Sequence, residues 1–389
     1  MQLFTPKQHL EMNIVNMHIE RLSFNERLET FNNNKAAYLS FDASVIKEAA
    51  EPNQLIASIN AYKDAMNGKA IGFGIAADAT ASGAQLYAVL SHDNAVARDC
   101  NLTSSENYKD FYSEATLAFK TQKSRKEVKQ AVMPWFYGSA AKPAQVFGSL
   151  EAFEDAMAMA YPGMLRLRQA LLKAWNKNNV IQSWTLPDGF QTSSYEQSSE
   201  TWKVKLGNAY AEIRKHIPAK AESSIKNAAN VIHSIDGYVA REAVRRARYG
   251  SSNKIQLLQS LRSKNVNIEN ITMFEKYWAL YKKTGMLSAG ILPFCDGINP
   301  TEHQYDVLRE LILSLPNTPF EVLVVHDSFR VLPTYANEIR CLYNKVLYEI
   351  AESNLMDSIL TDIHGKTTTF EKESFFNFRE LGAANHSLS

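Results

Sequence analysis

An α+β fold, mainly helical, is what this sequence predicts, and three observations carry it. Apolar residues recur at helical intervals through most of the 389 residues. Two apolar runs of strand length, Ile71-Gly-Phe-Gly-Ile-Ala-Ala-Asp78 and Phe320-Glu-Val-Leu-Val-Val-His326-Asp327, each end on an aspartate. The second continues past a polar tip into Ser328-Phe329-Arg-Val-Leu332, which makes it a hairpin. A carboxylate at the end of a buried strand is tolerable only beside a pocket or a metal. The two strands would therefore have to meet around one site.

The other elements follow in order. Leu10, Ile14, Met17 and Phe24 with the polar Asn32-Asn-Asn-Lys35 break predict helix, loop, helix over residues 1–50, read as a packing segment. Leu55, Ile59, Tyr62 and Met66 predict a helix from Pro52 to a cap at Gly68, backing the strand that carries Asp78. Ser82-Gly83-Ala-Gln85 opens another, continued by Leu86, Val89 and Leu90, and Asn101-Leu-Thr-Ser-Ser-Glu106 offers an N-cap for the next. In Arg125 to Gly138, Arg125, Lys129, Met133 and Tyr137 stand four residues apart, so two cations and an aromatic ring share one helix face. Such a face suits a polyphosphate with a base or sugar at its far end, although a basic helix alone also reads as a solvated surface. Pro134 predicts a kink or an end there.

Residues 151–180 read as an amphipathic helical stretch around Pro162-Gly163, and Val180 to Phe190 as two strands around a Pro187-Asp-Gly turn. His233-Ser-Ile-Asp236-Gly237 leads into a helix bearing Arg241, Arg245, Arg246 and Arg248, a candidate surface for backbone phosphates. His233 alone reads as a core histidine more readily than as a site residue. Residues 250–318 are mostly helical, a helix runs from about Tyr335 to Glu352, and the polar residues 383–389 are expected to be mobile.

Charge and cysteines narrow the function classes. With 42 basic and 41 acidic residues, any nucleic-acid contact must come from a local surface. Cys100, Cys295 and Cys341 are widely spaced with no Cys-x-x-Cys pair, which predicts free thiols in a reducing compartment rather than zinc. No leader pattern opens the sequence and no apolar run approaches the roughly 20 residues of a membrane span, so no membrane association is expected.

Taken together, these residues resemble the bacteriophage-type single-subunit DNA-dependent RNA polymerases. Asp78-x-x-x-Ser82-Gly83-x-Gln85 is similar to that family's first palm motif, Arg125-x-x-x-Lys129-x-x-x-Met133-x-x-x-Tyr137-Gly138 to its fingers helix, and His326-Asp327-Ser328 to its second palm motif. Lesser matches fall between in the same order: Asn101-Leu102 with Ser105-Glu106 and Asp110-Phe-Tyr112, then Pro187-Asp188-Gly189-Phe190, then His233-Ser234-x-Asp236-Gly237. The resemblance spans about residues 51–350.

It implies a right-hand polymerase: a palm whose small antiparallel sheet holds two catalytic aspartates, and helical fingers. Residues 1–50 would be an N-terminal helical segment, 51–100 the first part of the palm, 101–232 the fingers, and 233–389 the second part of the palm. By the family's pattern Asp78 and Asp327, with the Ala79 carbonyl, hold two Mg²⁺ ions. Arg125 and Lys129 grip the triphosphate. Met133, Tyr137 and Gly138 border the substrate, His233 senses the 2′-hydroxyl, and Tyr112 lines the pocket. The implied partners are a DNA template, nascent RNA and nucleoside triphosphates, in the cytoplasm of an infected bacterial host.

The departures set further expectations. No Arg-Gly-Arg occurs and about 77 residues precede Asp78, so the thumb and N-terminal domain are expected on a second chain, making a heterodimer. Gln130 replaces a second cation. An inserted helical basic segment, about 240–315, accounts for roughly 65 extra residues between Asp236 and His326 and could meet the partner chain, single-stranded template or an accessory single-stranded-DNA-binding protein. A family A-like DNA polymerase, a catalytically inactive interaction subunit and a metal-dependent phosphohydrolase are the competing readings.

Overall fold

Strand formation is sparse and local, and helices supply most of the packing. The computed structural model describes residues 1–207, 209–262 and 267–389. Among these lie seven strands: β1 (Ile75–Asp78), β2 (Gln182–Thr185), β3 (Gln191–Ser194), β4 (Glu196–Leu206), β5 (Ala209–Ala219), β6 (Leu323–Val325) and β7 (Ser328–Val331). They pair antiparallel as a three-stranded sheet of order β1-β7-β6 and as the hairpins β2-β3 and β4-β5.

The three-stranded sheet joins the two aspartate-bearing runs as the sequence required. Ile75 faces Val331 and Ala77 faces Phe329, and all four side chains are buried. Because side chains alternate, the opposite face presents Asp78 across from Ser328 and Ala76 across from Arg330. Leu323 and Val325 share that face and are exposed. The helices Pro6–His18 and Ala336–Glu352 pack against the sheet, with Phe329 edge-on to Tyr343 at 5.6 Å.

Several expectations need correction. The helix Pro52–Met66 forms and packs mainly on Pro6–His18, which meets β1, while its own first turn reaches the sheet through Gln54 and Arg330. Periodicity showed which face is buried, not which neighbour buries it. The Asn32-Asn-Asn-Lys35 break does not exist, because the helix Phe24–Ser40 runs through it. Phe31 and Tyr38 are anchored inside and stack at 5.9 Å, which leaves the asparagines on the wet side. The true break is residues 19–23, ended by a Ser23–Glu26 capping box. Asn101 caps no helix either: it closes the loop, its side chain bonding the Lys109 N–H at 2.8 Å and carbonyl at 2.7 Å. The next helix starts at Phe111, under the side chain of Asp110.

Residues 384–389, expected to be mobile, are buried. They pair along the free edge of β1: the Asp78 N–H donates to the Ser389 carbonyl at 3.2 Å, the Ser389 N–H to the Asp78 carbonyl at 2.9 Å, and Thr80 N–H to Ser387 at 3.2 Å. Backbone pairing satisfies the polarity that suggested disorder.

The helices Ser251–Ser260, Ile268–Thr284 and Glu302–Ser314 surround a second core of Leu261, Phe274, Trp278, Leu292, Leu308 and Ile312. It joins the rest through Glu242, which accepts from Ser288 Oγ and Ala289 N–H, both at 2.7 Å. The ribbon β4-β5 was not anticipated. It is largely exposed, with Trp202, Val204 and Ile213 on one face and Lys203, Lys205 and Arg214 on the other.

Candidate active site

Asp78 ends β1 and Asp327 immediately precedes β7, in the turn that joins it to β6. His326, at that turn's tip, takes a left-handed φ of 56° and is exposed. The Ala79 N–H donates to the Asp327 carbonyl at 3.1 Å, which locks the two strand ends side by side. Burial first, and then the neighbouring Asp327, push the Asp78 carboxyl above its ordinary value, against a hydrogen bond from Ser328. Asp236, which the sequence reading placed in a motif but not in the site, is pushed up to about 6 by burial and by Asp327.

These are the electrostatics of an under-neutralised carboxylate pair. No group of three or more His, Cys, Asp or Glu side chains among the described residues could by itself enclose a metal ion. Two carboxylates with an Ala79 carbonyl that accepts no hydrogen bond among the described residues nevertheless suit magnesium. That ion commonly takes one or two protein carboxylates and leaves its other positions to water and substrate phosphates.

The helix that follows Asp78, Ser82–Ser91, is held in place by buried Gln85. Its amide donates to the Cys100 and Ser387 carbonyls at 3.1 and 3.0 Å and accepts from Tyr343 Oη at 2.6 Å. Gln85 thus ties four segments beneath the carboxylate pair.

Across from the sheet stands the helix Arg125–Phe136, opened by a Ser124–Glu127 capping box and ending two residues past Pro134. Arg125 is already engaged: its Nε and Nη2 bond both oxygens of Asp110 at 2.6 Å. Burial works against the charge of Asp110, but the bonds from Arg125 and Ser113 outweigh it and hold the carboxyl below its usual range. Lys129 lies 5.5 Å from the centre of the Tyr112 ring, with Arg125 at 5.7 Å. Burial above all pushes the Tyr112 phenol up to about 12. Met133 is partly exposed.

Tyr137 follows the helix and stacks on His233, their rings 4.5 Å apart and 5° from parallel. Burial raises the Tyr137 phenol, helped by Asp236 and Asp327, and partial desolvation lowers the His233 imidazole. Both are therefore neutral near pH 7 and available for hydrogen bonding. Gly83 lies beneath this pair's neighbour: a Cβ on it would press on Phe136 at 3.3 Å, while meeting Tyr137 Oη at an ordinary 3.5 Å.

What fixes Tyr137 is Arg168, a residue that sequence reasoning passed over. Its guanidinium donates to the Trp135 and Gly138 carbonyls at 3.0 and 3.2 Å, satisfying the end of the helix. It also lies over the Trp135 ring at 4.6 Å. Gly138 takes φ +93°, and a Cβ would fall 2.8 Å from the Ile225 carbonyl. Gly138→Ala is therefore expected to cost about 1–3 kcal/mol of stability and to displace Tyr137, checked by urea melts alongside the near-ultraviolet circular dichroism of the aromatic side chains.

A cleft of about 360 Å³ brings Asp78 and Ala79 together with Tyr112, Arg125, Lys129 and the unanticipated Arg21. Asp327, Tyr137 and His233 do not line it, and neither do Met133 and Gly138. Asp327 and Tyr137 are linked to its wall through the charge of Asp327, which raises the phenols of both Tyr112 and Tyr137, and His233 through its stacking on Tyr137.

The arginine group on and just after the helix Lys226–Ala247 is a correction. Arg241 and Arg245 bond Asp188 of the Pro-Asp-Gly turn at 2.7 and 2.8 Å, and buried Arg246 bonds Glu242 and Glu349. Three of the four cations are thus committed to holding the β2-β3 hairpin and the second core in place. Arg248 is exposed. Their acidic partners lie up to 103 residues away along the chain, which is why the run looked like a phosphate surface.

Compared with known proteins, residues 7–185 match the family model of DNA-dependent RNA polymerase. The match takes in Asp78, Tyr112, Arg125, Lys129 and Tyr137, and stops before His233 and Asp327. No curated protein matches the chain.

Proposed function

We propose that this chain, whose residues 7–185 belong to the phage-type DNA-dependent RNA polymerase family, is the catalytic chain that joins ribonucleotides on a DNA template. The observation that carries the reading is one cleft lined both by Asp78, a carboxylate whose ionisation burial and Asp327 disfavour, and by the cations of the helix Arg125–Phe136. Ribonucleotidyl transfer needs that opposition. The 3′-hydroxyl of the strand attacks the α-phosphate, pyrophosphate leaves, and charge develops on both oxygens.

Asp78, Asp327 and the Ala79 carbonyl would hold magnesium, which when bound supplies neutralisation of that charge and a more acidic hydroxyl. Lys129 meets the triphosphate as a point charge. Arg125 reaches it by exchanging the Asp110 carboxylate for phosphate oxygens of the same bidentate geometry. Tyr137, held flat against His233, offers its hydroxyl to the sugar. Tyr112 closes the wall beside the two cations.

The test is extension of an RNA primer on a DNA template, with ribo- and deoxyribonucleotides compared. Ribonucleotides are expected to be used, and Tyr137→Phe to raise relative use of deoxyribonucleotides roughly tenfold or more. A wild-type preference for deoxyribonucleotides would instead make this a DNA polymerase of the same plan.

We further propose that a second chain supplies the thumb and an Arg-Gly-Arg segment, a tripeptide this sequence lacks, and that the assembly works in the cytoplasm of a phage-infected host. No helix among the described residues is long and apolar enough to cross a membrane. Equal extension by the isolated chain and by a co-expressed assembly would remove the second chain from the proposal.

A further inference from the structure

The outer face of the β1-β7-β6 sheet carries a charged side chain that none of these roles uses. Arg330 stands opposite Ala76, two residues from the level at which Ser328 faces Asp78, so about 7 Å along the strand from that aspartate. Its Nη2 donates to the neutral Gln54 Oε1 at 3.3 Å, and its Nε is buried with no partner. No carboxylate among the described residues forms an ion pair with it. The Asp78 carboxylate acts on the guanidinium at longer range, but its only hydrogen bond among the described residues is to an amide, and the buried Nε is left for an anion to complete.

Arg330 also stands between two clefts. It lines the larger one with Asp78. It also lines a second, of about 200 Å³, whose polar wall is Asn13, Asn53, Gln54 and Arg330 itself, with Phe73 and Gly74 beside them. That second wall has three amides, one cation and no carboxylate, which suits an anion. Arg125, Lys129 and Tyr112 take no part in it. In-line transfer keeps the attacking and departing oxygens on opposite sides of the phosphorus. If Arg125 and Lys129 hold the departing pyrophosphate, the growing strand must approach from elsewhere, and the amide-lined cleft, which shares Gln54, Ala76 and Arg330 with the larger one, is an approach on the side away from those two cations.

We propose that Arg330 grips a backbone phosphate of the growing RNA strand just behind its reacting 3′ end, with Gln54 orienting the guanidinium and Asn53 beside the phosphate. This rests on the polymerase reading. Arg330 is on this account a binding residue that aligns the strand.

The experiment uses the full chain, with its co-expressed partner if one is required, and two readouts. Binding of a primed RNA–DNA scaffold is followed by fluorescence anisotropy across a salt series without nucleotides, and nucleotide KM is measured on saturating scaffold. For R330Q the scaffold Kd is expected to rise roughly ten- to hundredfold. The slope of log affinity against log salt should fall by about one contact, while nucleotide KM stays within about twofold. R330K, which keeps a point charge, is expected to retain the wild-type salt slope, and it supplies the reading should R330Q fail to fold, since a lost slope in R330K would overturn the electrostatic role. A raised nucleotide KM with unchanged scaffold affinity would hand the phosphate to the triphosphate and overturn the strand assignment. If R330Q melts like the wild type and neither readout moves, Arg330 binds no phosphate. A wild-type protein that binds no scaffold and extends none defeats the polymerase reading itself, whereas one that extends normally beside an unaffected R330Q defeats only this proposal.

Discussion

Asp78→Asn and Asp327→Asn are each expected to reduce RNA extension by roughly a thousandfold or more while leaving the fold intact. Asparagine keeps the shape and, at 78, the partnership with Ser328, so what is removed is charge. The sign of the stability effect follows from the shift at Asp78. Burial and Asp327 raise its carboxyl above the unfolded value, so ionisation costs stability as pH rises from the unfolded toward the folded value, and the full cost is present above the folded value. Asp78→Asn should therefore melt at the same temperature or slightly higher. Added magnesium should raise the melting temperature of the wild type by mass action and do so much less for either variant. Retained extension in either variant would remove the metal assignment, and a collapsed melting temperature would show the aspartate to be structural instead.

The second large effect is on stability. Arg246→Met is expected to cost about 3–5 kcal/mol, because it strands a buried charge. Glu242 and Arg246 are both fully buried, joined at 2.9 Å, and Arg246 reaches on to Glu349 through its Nη atoms. With the arginine gone, Glu242 keeps the Ser288 hydroxyl, the Ala289 N–H and only a longer contact with Arg245, at 3.7 Å. The double variant Arg246→Met with Glu242→Gln removes the charge as well and should recover much of the loss. Urea unfolding measures both, and a single-variant cost below about 1 kcal/mol would show that water or rearrangement supplies the missing partner. The lesion should also be felt at the site, since the same helix, Lys226–Ala247, carries His233 and Asp236.

What was legible in the sequence was whatever depended on spacing along one element. The strand end at Asp78, the turn that carries Asp327, the shared face of Arg125 and Lys129, and the Pro-Asp-Gly turn are of that kind, although the strand before Asp327 is exposed where a buried one was expected and the second strand of the Pro-Asp-Gly hairpin begins only at Gln191. The unread part lay in contacts between residues distant in the chain. Arg168 finishes a helix some 30 residues upstream, Asp110 pre-empts Arg125, and Gln85 meets residues near 387. None of these leaves a periodic trace. The two largest misreadings share a cause. A run of arginines and a polar tail both look solvated when their partners are out of view, and both are satisfied inside the molecule, the first by carboxylates and the second by a strand edge.

That strand edge has a practical side. β1 is hydrogen-bonded on both flanks, and Ser389 is itself part of the cleft wall next to Asp78, with Arg27 bonded to its hydroxyl at 2.8 Å. A fluorophore placed on Ser389 would stand inside the space proposed for the nucleotide. Labels for the assays above belong on the exposed β4-β5 ribbon.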